Sequence, residues 1–310
     1  MRHSHLSHWL NQVVSDTSRK ASMLPRRARL LQLSFLLFIP NPKAIVQPLS
    51  VLRLQHIQSD RRSFQSDTAP QSRADTAVEL AQKVVDKSIA AYGGEAKIVS
   101  FRQATFNYQV EPLEGTNSRP VDVRTYFKDS SQFRSEVKGG DADAITILNR
   151  DKGWVIIGGT ILPLTRKNLD PLKTAMISQL RPDLLLLTFQ KFRFVGKSEE
   201  DGQSVNQIDV SGFIGGEYVR GRLSFDAKTN LIYKYQYEIE RELQKGKGIV
   251  EGEETYIRYS EFAGLQVPAE VHSRQGRKLS RITINKADFL SVLSDDLFKE
   301  PSPVAATPTK

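Results

Sequence analysis

The side chains able to carry chemistry are few, and their spacing is as telling as their types. His272 is the sole histidine beyond residue 56, so any Ser-His-Asp or related relay would have to be built around it. It lies inside a strand-like run, Ala269-Glu-Val-His-Ser273, where a half-exposed structural role is the ordinary one. The chain has no cysteine, which removes thiol nucleophiles, disulfides and thiolate metal sites together. One histidine cannot make a paired-His zinc site, and no metal or cofactor is expected. Ser178 and Ser198 could serve beside a lysine base, but neither carries a supporting motif. Carboxylates cluster at Glu199-Glu200-Asp201, Glu251-Gly-Glu-Glu254 and Asp295-Asp296. Each falls at an expected turn or strand edge, where solvated charge is the ordinary state. Gly212-Phe-Ile-Gly-Gly-Glu217 superficially resembles a phosphate loop. It lacks the Gly-Lys-Ser/Thr ending and joins strand to strand, so no helix N-terminus follows to receive an anion. It reads as a turn, and Lys245-Gly-Lys-Gly248 as a hairpin tip.

What remains is a large aromatic set, and the elements that carry it. From Phe101 to Phe298 the chain is a run of β-hairpins. The clearest is Leu223 to Glu240: a strand, a polar turn at Asp226 to Asn230, and a second strand. In that strand Tyr233, Tyr235, Tyr237 and Ile239 alternate with Lys234, Gln236, Glu238 and Glu240, the mark of one buried and one wet face. Further period-2 segments are Ala104 to Val110, Val121 to Phe127, Phe133 to Val137, Ala144 to Asn149, Trp154 to Ile157 and Ile161 to Leu164. Phe192 to Lys197 and Val205 to Val210 continue the series. Two helical pieces interrupt it. The first has Ala77, Leu80, Ala81, Val84, Ser88 and Ala91 on one stripe with Val85 at its edge, Asp75 or Thr76 as its cap, and Gly93-Gly94 as its stop. The second has Asp170 as N-cap, Pro171 at the first helical position and Leu172, Ala175, Met176 and Leu180 on its apolar side. Pro182 breaks it and Asp183 restarts a short piece. The reading is an α+β domain with one long, strongly curved antiparallel sheet of about ten or eleven strands, wrapping helices on its concave side, rather than a sandwich.

Charge and composition divide the chain. Residues 1–73 hold eleven Lys/Arg against three Asp/Glu, and residues 74–310 hold 33 against 32. The basic character therefore belongs to the leader. A near-neutral domain excludes the usual nucleic-acid binder, whose positive charge sits where it can meet phosphates. Within residues 1–48, Arg26-Arg27-Ala28-Arg29 followed by the apolar core 30–40 and Pro40 forms a secretory signal pattern. That core is shorter than the ~20 residues a membrane span needs. Met23 stands just upstream as a second possible start. Residues 49–74, polar and Ser/Gln-rich, read as a flexible linker, residues 75–300 as the folded domain, and residues 301–310 as a disordered tail.

Several segments, in order, resemble the LolA/LolB-like superfamily of periplasmic lipoprotein-sorting proteins. They are Ala91-Tyr-Gly-Gly94 with Ile98-Val-Ser-Phe101, Gln132-Phe-Arg-Ser-Glu136, Asp151-Lys-Gly-Trp-Val-Ile156, Leu223 to Leu231, Gly264-Leu-Gln-Val-Pro268 and Asp295-Asp-Leu-Phe-Lys299. The resemblance implies an unclosed barrel bent around helices, with an apolar cavity that shelters acyl chains. Phe106, Tyr108, Phe133 and Trp154 fall in the segments matching its cavity-lining strands and are the expected ligand-binding residues. The carriers hold a functional Arg just before the Phe matched by Phe133; here Phe127-Lys-Asp-Ser-Ser-Gln132 offers Lys128 instead. The expected function is a periplasmic or secreted non-catalytic carrier of acyl chains or lipoproteins. The alternatives are an envelope sensor or scaffold that binds proteins through the same fold, and an enzyme of unassigned type.

Overall fold

The structure, a computed structural model, describes residues 70–113, 119–129, 131–140, 143–243 and 246–302. The expected signal peptide, the linker up to residue 69 and the tail from residue 303 lie outside the described residues. Helix α1 (Pro70–Tyr92) stops at Gly93 and Gly94, with φ of 124° and 92°, and α2 (Glu95–Ser100) follows. Strands β1 (Gln103–Pro112), β2 (Val121–Lys128), β3 (Gln132–Lys138), β4 (Ala144–Asn149), β5 (Lys152–Ile157) and β6 (Thr160–Pro163) form one meander. Helices α3 (Arg166–Leu180) and α4 (Asp183–Thr188) come next. A second meander holds β7 (Lys191–Glu200), β8 (Gln203–Ile214), β9 (Glu217–Asp226), β10 (Ile232–Leu243), β11 (Gly246–Phe262), β12 (Leu265–Gln275) and β13 (Lys278–Asp288). A 3₁₀ turn, Asp295–Phe298, follows the last strand.

All pairing is antiparallel, and the 13 strands form one sheet in the order β6-β5-β4-β3-β2-β1-β13-β12-β11-β10-β9-β8-β7. The two meanders are joined where β1 pairs with β13, so the first and last strands meet in the middle and β6 and β7 are the outermost strands, with α1 packed against β7. The sheet is therefore open, as expected, with two or three more strands than expected.

Curvature follows from what one helix touches. Helix α3 meets β5, β9 and β12. In a flat sheet β5 and β9 would lie ~43 Å apart at about 4.8 Å per strand. A 15-residue helix is about 22 Å long, so the sheet must curl for α3 to reach both. Register breaks at Asn107/Tyr108, Phe194/Gly196, Ile232/Lys234 and from Tyr256 to Tyr259 supply bends.

Three local expectations shift. The buried stripe of α1 is Ala81, Val85, Ser88 and Tyr92, with Leu80 exposed, because Tyr92 docks onto Tyr259 through paired hydroxyls 2.8 Å apart. Helix α3 begins one turn earlier than Asp170, behind Thr165, and carries Pro171 inside. Tyr233 is the extra residue of the β10 bulge. It leaves the buried row of Tyr235, Tyr237 and Ile239, and its hydroxyl donates to Asp201 at 2.8 Å.

Candidate functional site

The concave face is the candidate site, and alternation decides which residues reach it. On β1, Phe106 is fully buried with its ring edge-on to Phe289, centroids 5.7 Å apart. Tyr108, on the same face, shares a hydrogen bond with Thr125 Oγ1 at 3.1 Å. Thr125 in turn donates to Ser135 Oγ at 3.2 Å, a hydroxyl chain across β1, β2 and β3. Phe133 packs with Leu148 and with Leu169 of α3 in a small apolar cluster separate from the main core that holds Phe106 and Tyr108.

Trp154 is elsewhere. Its cross-strand partner is Ile147, whereas the inward residues of that hairpin are Leu148 and Gly153. A side chain at Gly153 would strike Leu169 and Leu164 beneath α3. Phe106, Tyr108 and Phe133 therefore share the concave face, and Trp154 is buried on the opposite one. Lys128 also faces outward and pairs with Asp295 at 2.5 Å.

The other half of the concave face is polar at its centre. Tyr235, Glu254, Tyr256 and Ser273 of β10 to β12 lie under the end of α3. Tyr256 donates its hydroxyl to Ser178 O at 2.5 Å. Gln179 Nε2 donates to Ser273 Oγ at 3.0 Å and to Glu254 Oε1 at 3.5 Å. Glu254 is fully buried, and burial pushes its carboxyl up to about 8, opposed by hydrogen bonds from Ser273 and Gln179. Solvated charge describes Glu251 and Glu253, which face outward, but not Glu254. Its burial is a correction with a cause, since Gly252, Glu254 and Tyr256 alternate onto the inner face. At the α3–α4 corner, Arg181 is 1% exposed and makes a forked pair with Asp183. It also donates to Phe101 O and Ile98 O, at 2.8 and 3.4 Å.

The remaining chemical candidates have ordinary settings. His272 Nε2 lies 3.1 Å from Glu270 Oε1 on the outer face. Ser178 Oγ donates to Ala175 O within its own helix, and Ser198 Oγ is buried without a partner. Glu200 is held below the usual carboxylate range by Ser224, Gln207 and Lys234, against the opposing pull of burial. Gly215-Gly216 forms the β8–β9 hairpin turn, packed tightly against Lys173, Thr174 and Asp170 of α3. Among the described residues no group of three or more His, Cys, Asp or Glu could hold a metal ion. On the outer face a polar groove of about 530 Å³ runs between Arg220 and Arg222 of β9 and Glu251 and Glu253 of β11. Beside it Phe213, Tyr218 and Ile249 are exposed at one level of β8, β9 and β11.

Fold and site together define an open antiparallel half-barrel roofed by a helical crossover. The solved structures to which the chain is similar include one described as an outer membrane lipoprotein-sorting protein domain from Vibrio parahaemolyticus. It is 12% identical, with 73% of this chain and 97% of that one covered and a TM-score of 0.48. A DUF1329 family protein from Desulfovibrio piger is also 12% identical, with 71% and 97% covered and a TM-score of 0.47. A LolA superfamily protein from Nitrosomonas europaea is 10% identical, with 71% and 97% covered and a TM-score of 0.46. No family model and no curated protein matches the chain. Among the described residues no helix is long and apolar enough to cross a membrane.

Proposed function

We propose that the protein is a non-catalytic carrier, periplasmic or secreted, that shelters an acyl chain or lipoprotein between the concave face and the α3–α4 crossover. The supporting observation is that the outermost strands, β6 and β7, share no ladder and are connected through that crossover, with α1 packed against β7. An interior bounded by two such strands can widen without breaking a ladder hydrogen bond. A closed barrel would have to give up a row of them. Phe106, Tyr108 and Phe133 then line the guest's path. Burying ten methylenes would contribute on the order of 8 kcal/mol before association costs, enough for binding without a salt bridge.

The test is titration with a fluorescent acyl probe. Saturable binding is expected, competed by an unlabelled acyl chain. Phe133→Ala should weaken it roughly tenfold through lost apolar contact, with circular dichroism confirming the fold. Lys128→Ala should leave it unchanged. The reverse pattern would replace the cavity with a charged surface site.

A second reading, a module that binds envelope proteins, is favoured by the exposed row Phe213, Tyr218 and Ile249. Under it, Phe213→Ser with Ile249→Ser abolishes co-purification of a partner from envelope extract and leaves acyl binding untouched.

A further inference from the structure

Two polar atoms on the concave face stand out because the atoms around them are satisfied. Tyr235 of β10 and Glu254 of β11 are direct cross-strand neighbours on the inner face, and both are fully buried. The Tyr235 hydroxyl and Glu254 Oε2 have no hydrogen-bond partner. The roof above them meets the surrounding needs: Tyr256 reaches Ser178 O, while Gln179 serves Ser273 Oγ and Glu254 Oε1. Buried polar groups in native folds are nearly always paired, so two adjacent exceptions call for an explanation. The face of α3 over this spot is also unusually polar, with Thr174, Ser178 and Gln179 all buried. A helix seated on hydrogen bonds can exchange them for others, whereas one seated on aliphatic contacts cannot.

We infer that Tyr235 and Glu254 form the polar end of the guest site and take an amide group at the head of an acyl chain. Glu254 Oε2–H donates to the amide carbonyl oxygen, and the amide N–H donates to the Tyr235 hydroxyl oxygen. An amide fits because its donor and acceptor point apart and can reach two side chains on neighbouring strands about 5 Å apart. A hydroxyl has a single oxygen to offer, and an ester has no donor. A fatty carboxylate would bring a negative charge into a low-dielectric interior where neither Tyr235 nor Glu254 carries a positive charge to meet it. Gln179 would yield its place as α3 lifts, and the chain would run across the concave face toward the apolar half. This inference rests on the carrier reading and adds the chemistry of the head group.

The experiment is competition against a bound fluorescent acyl probe by three ligands of equal chain length: dodecanamide, methyl dodecanoate and dodecanoate. The amide should compete roughly tenfold better than the ester, the scale of one or two net hydrogen bonds, and dodecanoate should be weakest. Tyr235→Phe keeps the ring that packs edge-on against Phe189, centroids 6.0 Å apart, and should lose most of the amide preference. Glu254→Leu should weaken amide and ester alike, since both carry a carbonyl oxygen, and the double variant should bind amide and ester equally. Equal competition by amide and ester in the unaltered protein, or a preference undiminished in Tyr235→Phe, would overturn the inference and leave the carrier reading standing. Failure of the unaltered protein to bind any acyl probe would overturn both.

Discussion

At the scale of single residues, Arg181 and Glu254 meet burial in different ways. Asp183 meets Arg181 in a fork, and two backbone carbonyls of the α2 region and the face of Phe289, 5.3 Å away, take up the rest of the guanidinium. Removing one member of such a pair strands the other. Asp183→Asn should therefore cost about 3–5 kcal/mol in urea unfolding. Glu254 instead keeps its proton. In an unfolded chain a glutamate ionises near 4.5, and here burial moves that to about 8. Between those values the folded chain holds a proton that the unfolded chain has released. The contribution of Glu254 to stability is thus fullest below pH 4.5 and falls as pH rises toward 8, by at most on the order of 5 kcal/mol. Unfolding midpoints measured from pH 5 to 9 should fall for the unaltered protein and flatten for Glu254→Gln.

At the scale of elements, glycine governs how closely the layers approach. Gly252 of β11 sits opposite Tyr237 in register, and that ring covers the place a Cβ would occupy. Gly153 of β5 leaves room for Leu169 at the start of α3. Neither has a positive φ, so the demand is for space rather than for conformation. Gly252→Ala should force the Tyr237 ring aside and cost roughly 1–3 kcal/mol by overpacking, visible as a lowered thermal midpoint. Gly153→Ala should act on α3 instead, and faster hydrogen exchange at 166–180 should follow, with β8 to β12 unaffected.

At the scale of the molecule, the chain's first and last strands pair at the centre of the sheet while its middle connects the two edges. Closure of the β1–β13 pair is thus the most non-local step, which loop-closure entropy makes costly. Protection in native-state exchange should be highest in β1, β13 and β12 and lowest at Thr160–Pro163, the outermost strand. Limited proteolysis should trim residues before about 75 and after about 300, by the tether-like composition of those ends, and leave one resistant fragment. An early single cut between the two meanders would mean that they are separate units.

Period and punctuation alone reach far in this chain. The 223–240 hairpin, the Gly93-Gly94 stop, the glycine turn at 212–217 and the break at Pro182 are local matters of backbone geometry, and the structure has each of them. Residue type and spacing also determine that Phe106 and Tyr108 share a face. Which face turns inward is settled elsewhere. Trp154 sits opposite Ile147 because of the β4–β5 register, Tyr233 leaves its row because β9 and β10 differ by one residue, and α3 gains a turn by resting Leu169 against Phe133. The burial of Glu254, in a cluster that reads as a turn or strand edge, was not legible, because the cover comes from Gln179, 75 residues away in sequence. A two-residue period is symmetric between the two faces of a strand. Only the curling of the sheet around α3 breaks that symmetry, and the curl arises from pairings between distant strands.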